Sequence, residues 1–326
     1  MANKIVTPKG KGYFYYNLLA IQQLFGESGL SMAGVLADLQ QHKLDYAIIT
    51  IMMNGRGYNL RRLTPKLPTP LIDDLLPAFV DTCRSVGTEP WGHIGMSTWE
   101  RDSPVAAARA AAERANWLGL NGVVVNAEAA FKDNAIGGKP APSFSSRSNS
   151  ARLYMRTLRE NFGGSIWFSS YRFPKLHPEL PWAAFLDPQY CSGAMPQVYW
   201  VLTRDPVGQL ARSIAEYRQI TNLPLSPTGA AYTEERPEYR YGGGTGELWM
   251  PTPAEVRSFH QACIDANMVG ASWWSRWDMR RVGLENALAG LSWPKDGEEV
   301  DIPADPSFVA RLEKLETWAR GQGAEL

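Results

Sequence analysis

The residue best placed to do chemistry is Glu128, which follows the apolar run Val123, Val124, Val125 and then Asn126 and Ala127. A carboxyl at the mouth of an apolar strand is partly desolvated, which favours its protonated form and suits a general acid. Its competing use is a salt bridge to Lys132 or Arg172. Acid–base cleavage of an acetal needs a second carboxyl group across the bond. Glu234, Glu235 and Asp278 are the candidates, and chain position does not separate Glu234 from Asp278. Glu234-Glu235-Arg236 also reads as a solvated loop, and Asp278 stands beside Arg280 and Arg281, with which it can pair.

The second chemical feature is aromatic. The chain has twelve Trp, thirteen Tyr and eleven Phe. Trp91 or Trp99, Tyr171, Tyr199, Trp200, Tyr232, Trp249, Trp273, Trp274 and Trp277 fall at or near the ends of expected strands. Sugars present apolar C–H faces that stack on such rings, while packing between layers accounts for about half of them. The expected binding set is Asn54, Trp99, Asn126, Tyr171, Arg172, Gln197, Tyr199, Tyr232, Trp273 and Arg276, in which the amides and guanidinium groups orient a ligand.

These residues sit at regular intervals because short apolar runs alternate with amphipathic ones, the pattern of βα units. Strands are expected at 12–18, 45–53, 89–96, 122–126, 166–170, 192–199, 225–232 and 270–274. Helices are expected at 31–43, 70–86, 103–118, 150–161, 181–186, 206–220, 253–266 and 282–291. Ser31 reads as a helix N-cap, and Thr252 with Glu255 as a capping box. Eight units predict an α/β fold, a single (β/α)8 TIM barrel over 1–293, with its site at the C-terminal ends of the strands. An open doubly wound sheet is the alternative, but no GxGxxG opens a helix after any strand. Residues 294–326 read as an acidic connector and a C-terminal helical extension. Its stripe of Phe308, Leu312, Leu315 and Ala319 either docks on the barrel or makes an oligomer or assembly contact through 305–320.

Composition narrows the function. Thirty-three basic and 33 acidic residues give zero net charge, against binding nucleic acid by phosphate neutralisation. No 18-residue apolar stretch is present, so no membrane span is expected. Cys83, Cys191 and Cys263 form no framework, and the four histidines lack HExxH spacing, so no metal or other cofactor is expected. The first ten residues lack an apolar signal region. The chain is therefore expected in the cytoplasm as synthesised, and a phage-type protein would become virion-associated or be released by lysis.

The run Asn121-Gly122-Val123-Val124-Val125-Asn126-Ala127-Glu128 resembles the fourth-strand motif Asp-Gly-x-Asp-x-Asp-x-Glu of chitinases. Met195-Pro196-Gln197-Val198-Tyr199-Trp200 sits where that family has a Met-x-Tyr strand, and Gly270-Ala271-Ser272-Trp273-Trp274 is similar to its Trp-bearing eighth strand. The Asp-x-Glu pair of lysozyme-type muramidases becomes Asn126-x-Glu128. Ser170-Tyr171-Arg172-Phe173-Pro174, Pro181-Trp182-x-x-Phe185-Leu186 and Pro196-Gln197-Val198-Tyr199-Trp200 also resemble motifs of uncharacterised bacterial and phage hydrolase-like proteins. The resemblance spans about residues 10–293 and implies a metal-independent glycoside hydrolase acting on a cell-wall or related polysaccharide. Glu128 would be its general acid, with Glu234 or Asp278 as nucleophile or base. All three motif aspartates are missing: Asn121, Val124 and Asn126 replace them. In the family, the aspartate two before the glutamate tunes the acid and, in chitinases, holds the substrate's acetamido group. An amide hydrogen-bonds but carries no charge. The alternative is thus an inactive barrel that binds glycan or serves as a structural component of a larger assembly. A phosphate-binding barrel, suggested by Gly242-Gly243-Gly244, is a weaker third reading.

Overall fold

The computed structural model describes residues 5–26, 31–53, 56–58, 60–62, 71–96, 103–131, 143–201, 203–234 and 249–294. Asn54, Trp99, Lys132, Glu235, Gly242 to Gly244 and the 305–320 stripe lie outside them. Eight strands alternate with helices along the chain: β1 Gly10–Tyr15, β2 Tyr46–Met53, β3 Glu89–Met96, β4 Gly122–Ala127, β5 Ser165–Tyr171, β6 Gly193–Val198, β7 Thr228–Ala230 and β8 Gly270–Trp274. All eight are parallel, each pairs with the next, and β1 pairs with both β2 and β8. The sheet is therefore a closed barrel, as the eight-unit count predicts.

Strand alternation decides which residues fill the barrel. Phe14, Tyr46, Ile48, Trp91, Val124, Trp167 and Met195 form the interior cluster. Their sequence neighbours Tyr13, Tyr15, Ala47, Ile49, Val123, Val125, Ile166, Phe168 and Ala194 face the helices. Both faces of these strands are dry, which is why they read as continuous apolar runs. The interior admits three large rings because glycines stand opposite them. A Cβ built on Gly12, Gly122 or Gly193 would come within 2.1, 2.3 and 2.5 Å of Tyr46, Trp91 and Trp167 respectively.

The outer layer comprises α1 Leu18–Leu24, α2 Ala33–His42, α3 Leu76–Ser85, α4 Pro104–Trp117, α5 Phe144–Asn161, α6 Trp182–Phe185, α7 Pro206–Arg218, α8 Pro253–Asp265, α9 Arg276–Arg281 and α10 Glu285–Ala289. α4 buries Ala108, Ala111, Ala112 and Ala115, a helical stripe short enough to lie close on the barrel. The Thr252–Glu255 capping box of α8 is formed in both directions.

Several expectations are corrected. The helix expected at 70–86 starts only at Leu76. Residues Leu71–Asp74 form a strand antiparallel to Leu60–Arg62, and Pro77 opens the helix in its first turn, where the missing N–H costs nothing. The strand expected at 225–232 shrinks to Thr228–Ala230, since Pro224 and Pro227 have no N–H for a ladder. The helix expected at 282–291 shrinks to α10, Glu285–Ala289, and an unexpected α9 precedes it at Arg276–Arg281; Gly283, whose φ of +68° only glycine adopts freely, separates the two. Ser31 is not the N-cap; α2 begins after Met32, although the Ser31 hydroxyl accepts from the Ala33 N–H at 3.3 Å. α1, held at its start by Asn17 Oδ1 on the Ala20 N–H, was not anticipated. No helix among the described residues is long and apolar enough to cross a membrane.

Candidate active site

The interior positions run upward by twos into a second, polar layer: Val124 leads to Asn126 and Glu128, Trp167 to Ser169 and Tyr171, Met195 to Gln197 and Tyr199. Three adjacent strands, β4, β5 and β6, thus deliver their polar side chains to one place. Gln197 Nε2 donates to Glu128 Oε1 at 2.8 Å and to Asn126 Oδ1 at 3.0 Å, and stands 3.4 Å from Ser169 Oγ. Asn126 Nδ2 donates to the same Glu128 oxygen at 3.0 Å. Two amide donors therefore hold Oε1, and a proton carried by the carboxyl belongs on Oε2.

Glu128 opens on a cleft of about 370 Å³ bounded by Tyr171, Arg172, Phe173, Leu176, His177, Gln197, Tyr199, Val201, Tyr232 and Glu234. That volume lies within the usual range for a small-molecule site, about 300–1,000 Å³. Glu234, beyond β7, is thus the candidate second carboxyl that shares the cleft with Glu128. Tyr232 donates its hydroxyl to Glu234 Oε2 at 3.3 Å. Tyr199 meets Tyr232 edge-on at 5.3 Å, and Tyr232 meets Trp249 at 6.0 Å. Tyr171 lies against the His177 ring at 3.9 Å between centroids. Burial, with the charges of Glu128 and Glu179, pushes the Tyr171 phenol up to about 12. Burial, then Tyr232 and Glu128, raises Tyr199 well above its ordinary value. Both phenols stay protonated at neutral pH and keep a hydrogen to donate.

Three expected site residues stand elsewhere. Trp273 is fully buried on the helix side of β8, stacked on His260 at 5.6 Å and edge-on to Tyr13. Its neighbour Trp274 is the one that faces inward, against Phe14, Tyr16 and His93. Alternation from the first strand onward carries that signal. Arg276 is buried in α9, with both Nε and Nη2 on Asp38 and Nη2 on Glu285 at 2.6 Å. It ties α2 to α9 and α10 instead of orienting a ligand. Asp278 accepts from Ser275 Oγ at 2.8 Å and lies 3.5 Å from Arg281, outside the residues that bound the cleft. The rim list is corrected likewise: Trp200 is buried against Phe259 at 5.2 Å, and Trp91 lies in the barrel interior. Sequence reading missed Phe173, Leu176, His177 and Val201, which follow strand ends without any distinctive spacing. Among the described residues, no group of three His, Cys, Asp or Glu is arranged to hold a metal ion.

A closed parallel barrel with a carboxyl at the end of β4, facing an aromatic cleft, is a TIM barrel with its candidate site at the C-terminal ends of the strands. Solved structures similar to this chain in fold include glycoside hydrolase family 18 chitinases and related enzymes. A GH18 chitinase from Pseudoalteromonas aurantia matches with a TM-score of 0.58 at 12% identity, over 86% of this chain and 98% of that one. A family GH18 chitinase from Cycas revoluta, solved as a complex with allosamidin, matches with 0.54 at 13%, over 86% and 98%. The spore cortex-lytic enzyme SleL of Bacillus cereus matches with 0.54 at 10%, over 86% and 73%. At these identities the likeness is one of fold. No family model matches the chain, and no curated protein matches it by sequence.

Proposed function

We propose that the cleft binds a cell-wall or related glycan and hydrolyses it, with Glu128 as general acid and Glu234 as the second carboxyl. The observation that carries this reading is the shared cleft: two carboxyl groups from different strands face one tyrosine-lined space of sugar size. Glu128 presents Oε2 to the ligand because the amides of Asn126 and Gln197 occupy Oε1. Tyr171, Tyr199 and Tyr232 offer ring faces to the sugar and hydroxyls to its oxygens.

One observation favours a second reading. The side chain two residues before Glu128 is an amide, with its nitrogen on Glu128 and its oxygen on Gln197. A neutral group there suits a barrel that holds glycan without cleaving it.

The test is turbidity loss and reducing-sugar release on purified peptidoglycan and chitin, comparing wild type with Glu128→Gln. Hydrolysis by the wild type, with a loss of about a hundredfold or more in the variant, supports the enzyme. Binding without hydrolysis in both proteins favours the second reading.

A further inference from the structure

The charge around the cleft suggests more than a neutral sugar. Glu128 and Glu234 both line it, together with the edge-on Tyr199–Tyr232 pair. Against them stand two cationic or basic groups. The Arg172 guanidinium rests over the Phe173 ring at 5.0 Å, and His177 Nδ1 lies 3.7 Å from a carboxylate oxygen of Glu179. The cleft lining thus combines two carboxyl groups with three phenol rings, the pairing that holds an ammonium group. Asn126, beside Glu128, has both ends of its amide engaged by Gln197 and Glu128.

Resting on the glycan reading above, we propose that the preferred ligand is a glycan with free amino groups, a glucosamine-type unit rather than its N-acetylated form. Its ammonium sits between Glu128 and Glu234 over Tyr199 and Tyr232. The inference concerns binding and needs no bond to break.

Isothermal titration calorimetry of the full chain tests it with three tetrasaccharides: fully deacetylated chitotetraose, its fully N-acetylated form and cellotetraose. The deacetylated tetramer should bind about tenfold to a hundredfold more tightly than either neutral one at about pH 6.5, the range of one charge-assisted hydrogen bond. The advantage should vanish at about pH 9, where an amine of ordinary α-amino type is neutral. Glu234→Gln should remove most of the preference, narrowing the ratio of the deacetylated to the neutral tetramer affinities by about tenfold or more. Retention of the full preference in both Glu234→Gln and Glu128→Gln overturns the proposal, because the charge selectivity then lies elsewhere. Equal affinity for acetylated and deacetylated tetramers also overturns it and leaves the glycan cleft standing. Binding of none of the three overturns both.

Discussion

At the scale of single residues, the packing of β8 depends on which of two neighbouring side chains points inward. Trp273 and Trp274 are adjacent and chemically identical, yet one packs on His260 beneath the helices and the other on Phe14 and His93 inside the barrel. Trp273→Ala is expected to cost about 3–5 kcal/mol of stability, as for other buried aromatic truncations, because it opens a cavity in the helix layer. Trp274→Ala, at a half-buried position, is expected to cost less stability. Urea unfolding of the two variants compares the losses. Arg276 supplies the opposite case, a charged group that strand-end position marks as ligand-binding and burial marks as structural. Arg276→Met leaves Asp38 buried without its bidentate partner, for an expected loss of about 3–5 kcal/mol in urea unfolding. At the cleft end of the barrel, Glu128 and Gln197 should keep their geometry in that variant. Glu128 itself was legible from sequence; the Gln197–Asn126 clasp on its Oε1 was not, because the two amides lie on strands separated by β5.

At the scale of elements, apolar periodicity located every barrel strand, and its failures have local causes. Proline shortened β7, a left-handed glycine split α9 from α10, and pairing with Leu60–Arg62 drew Leu71–Asp74 out of the expected helix. Within the strands, the glycines that face Tyr46, Trp91 and Trp167 act as complements to those rings rather than as breakers. Gly193→Ala drives a methyl toward the Trp167 ring, 2.5 Å from its nearest atom, with rigid barrel backbone behind it. The expected cost is about 1–3 kcal/mol, the usual range for overpacking, read as a lowered midpoint in thermal unfolding. Pairing it with Trp167→Phe should recover part of that loss. A double-mutant cycle measures the coupling.

At the scale of the whole molecule, burial of histidines couples the fold to pH. His42, His93 and His260 are each pushed down to about 4, chiefly by burial. Their unfolded value is 6.5, so between about pH 6.5 and 4 the unfolded chain binds more protons than the folded one. Stability from this source is complete above the unfolded value and is lost as pH falls toward 4. Urea unfolding across that window should show a steep decline, of up to about 3 kcal/mol per histidine, that His93→Phe makes shallower. The sequence by itself determined the eight-unit barrel, the polar ends of its strands and Glu128 as the carboxyl at the mouth of the fourth. These follow from apolar periodicity and turn chemistry, which are local along the chain. Only the tertiary structure decided that Glu234 and not Asp278 shares the cleft with Glu128, that Trp274 faces inward, and that Arg276 is spent on Asp38 and Glu285. Those outcomes depend on which face of each strand closes onto the barrel axis and on which loops converge above it. Closure joins residues more than a hundred positions apart, a relation that no short window of sequence contains.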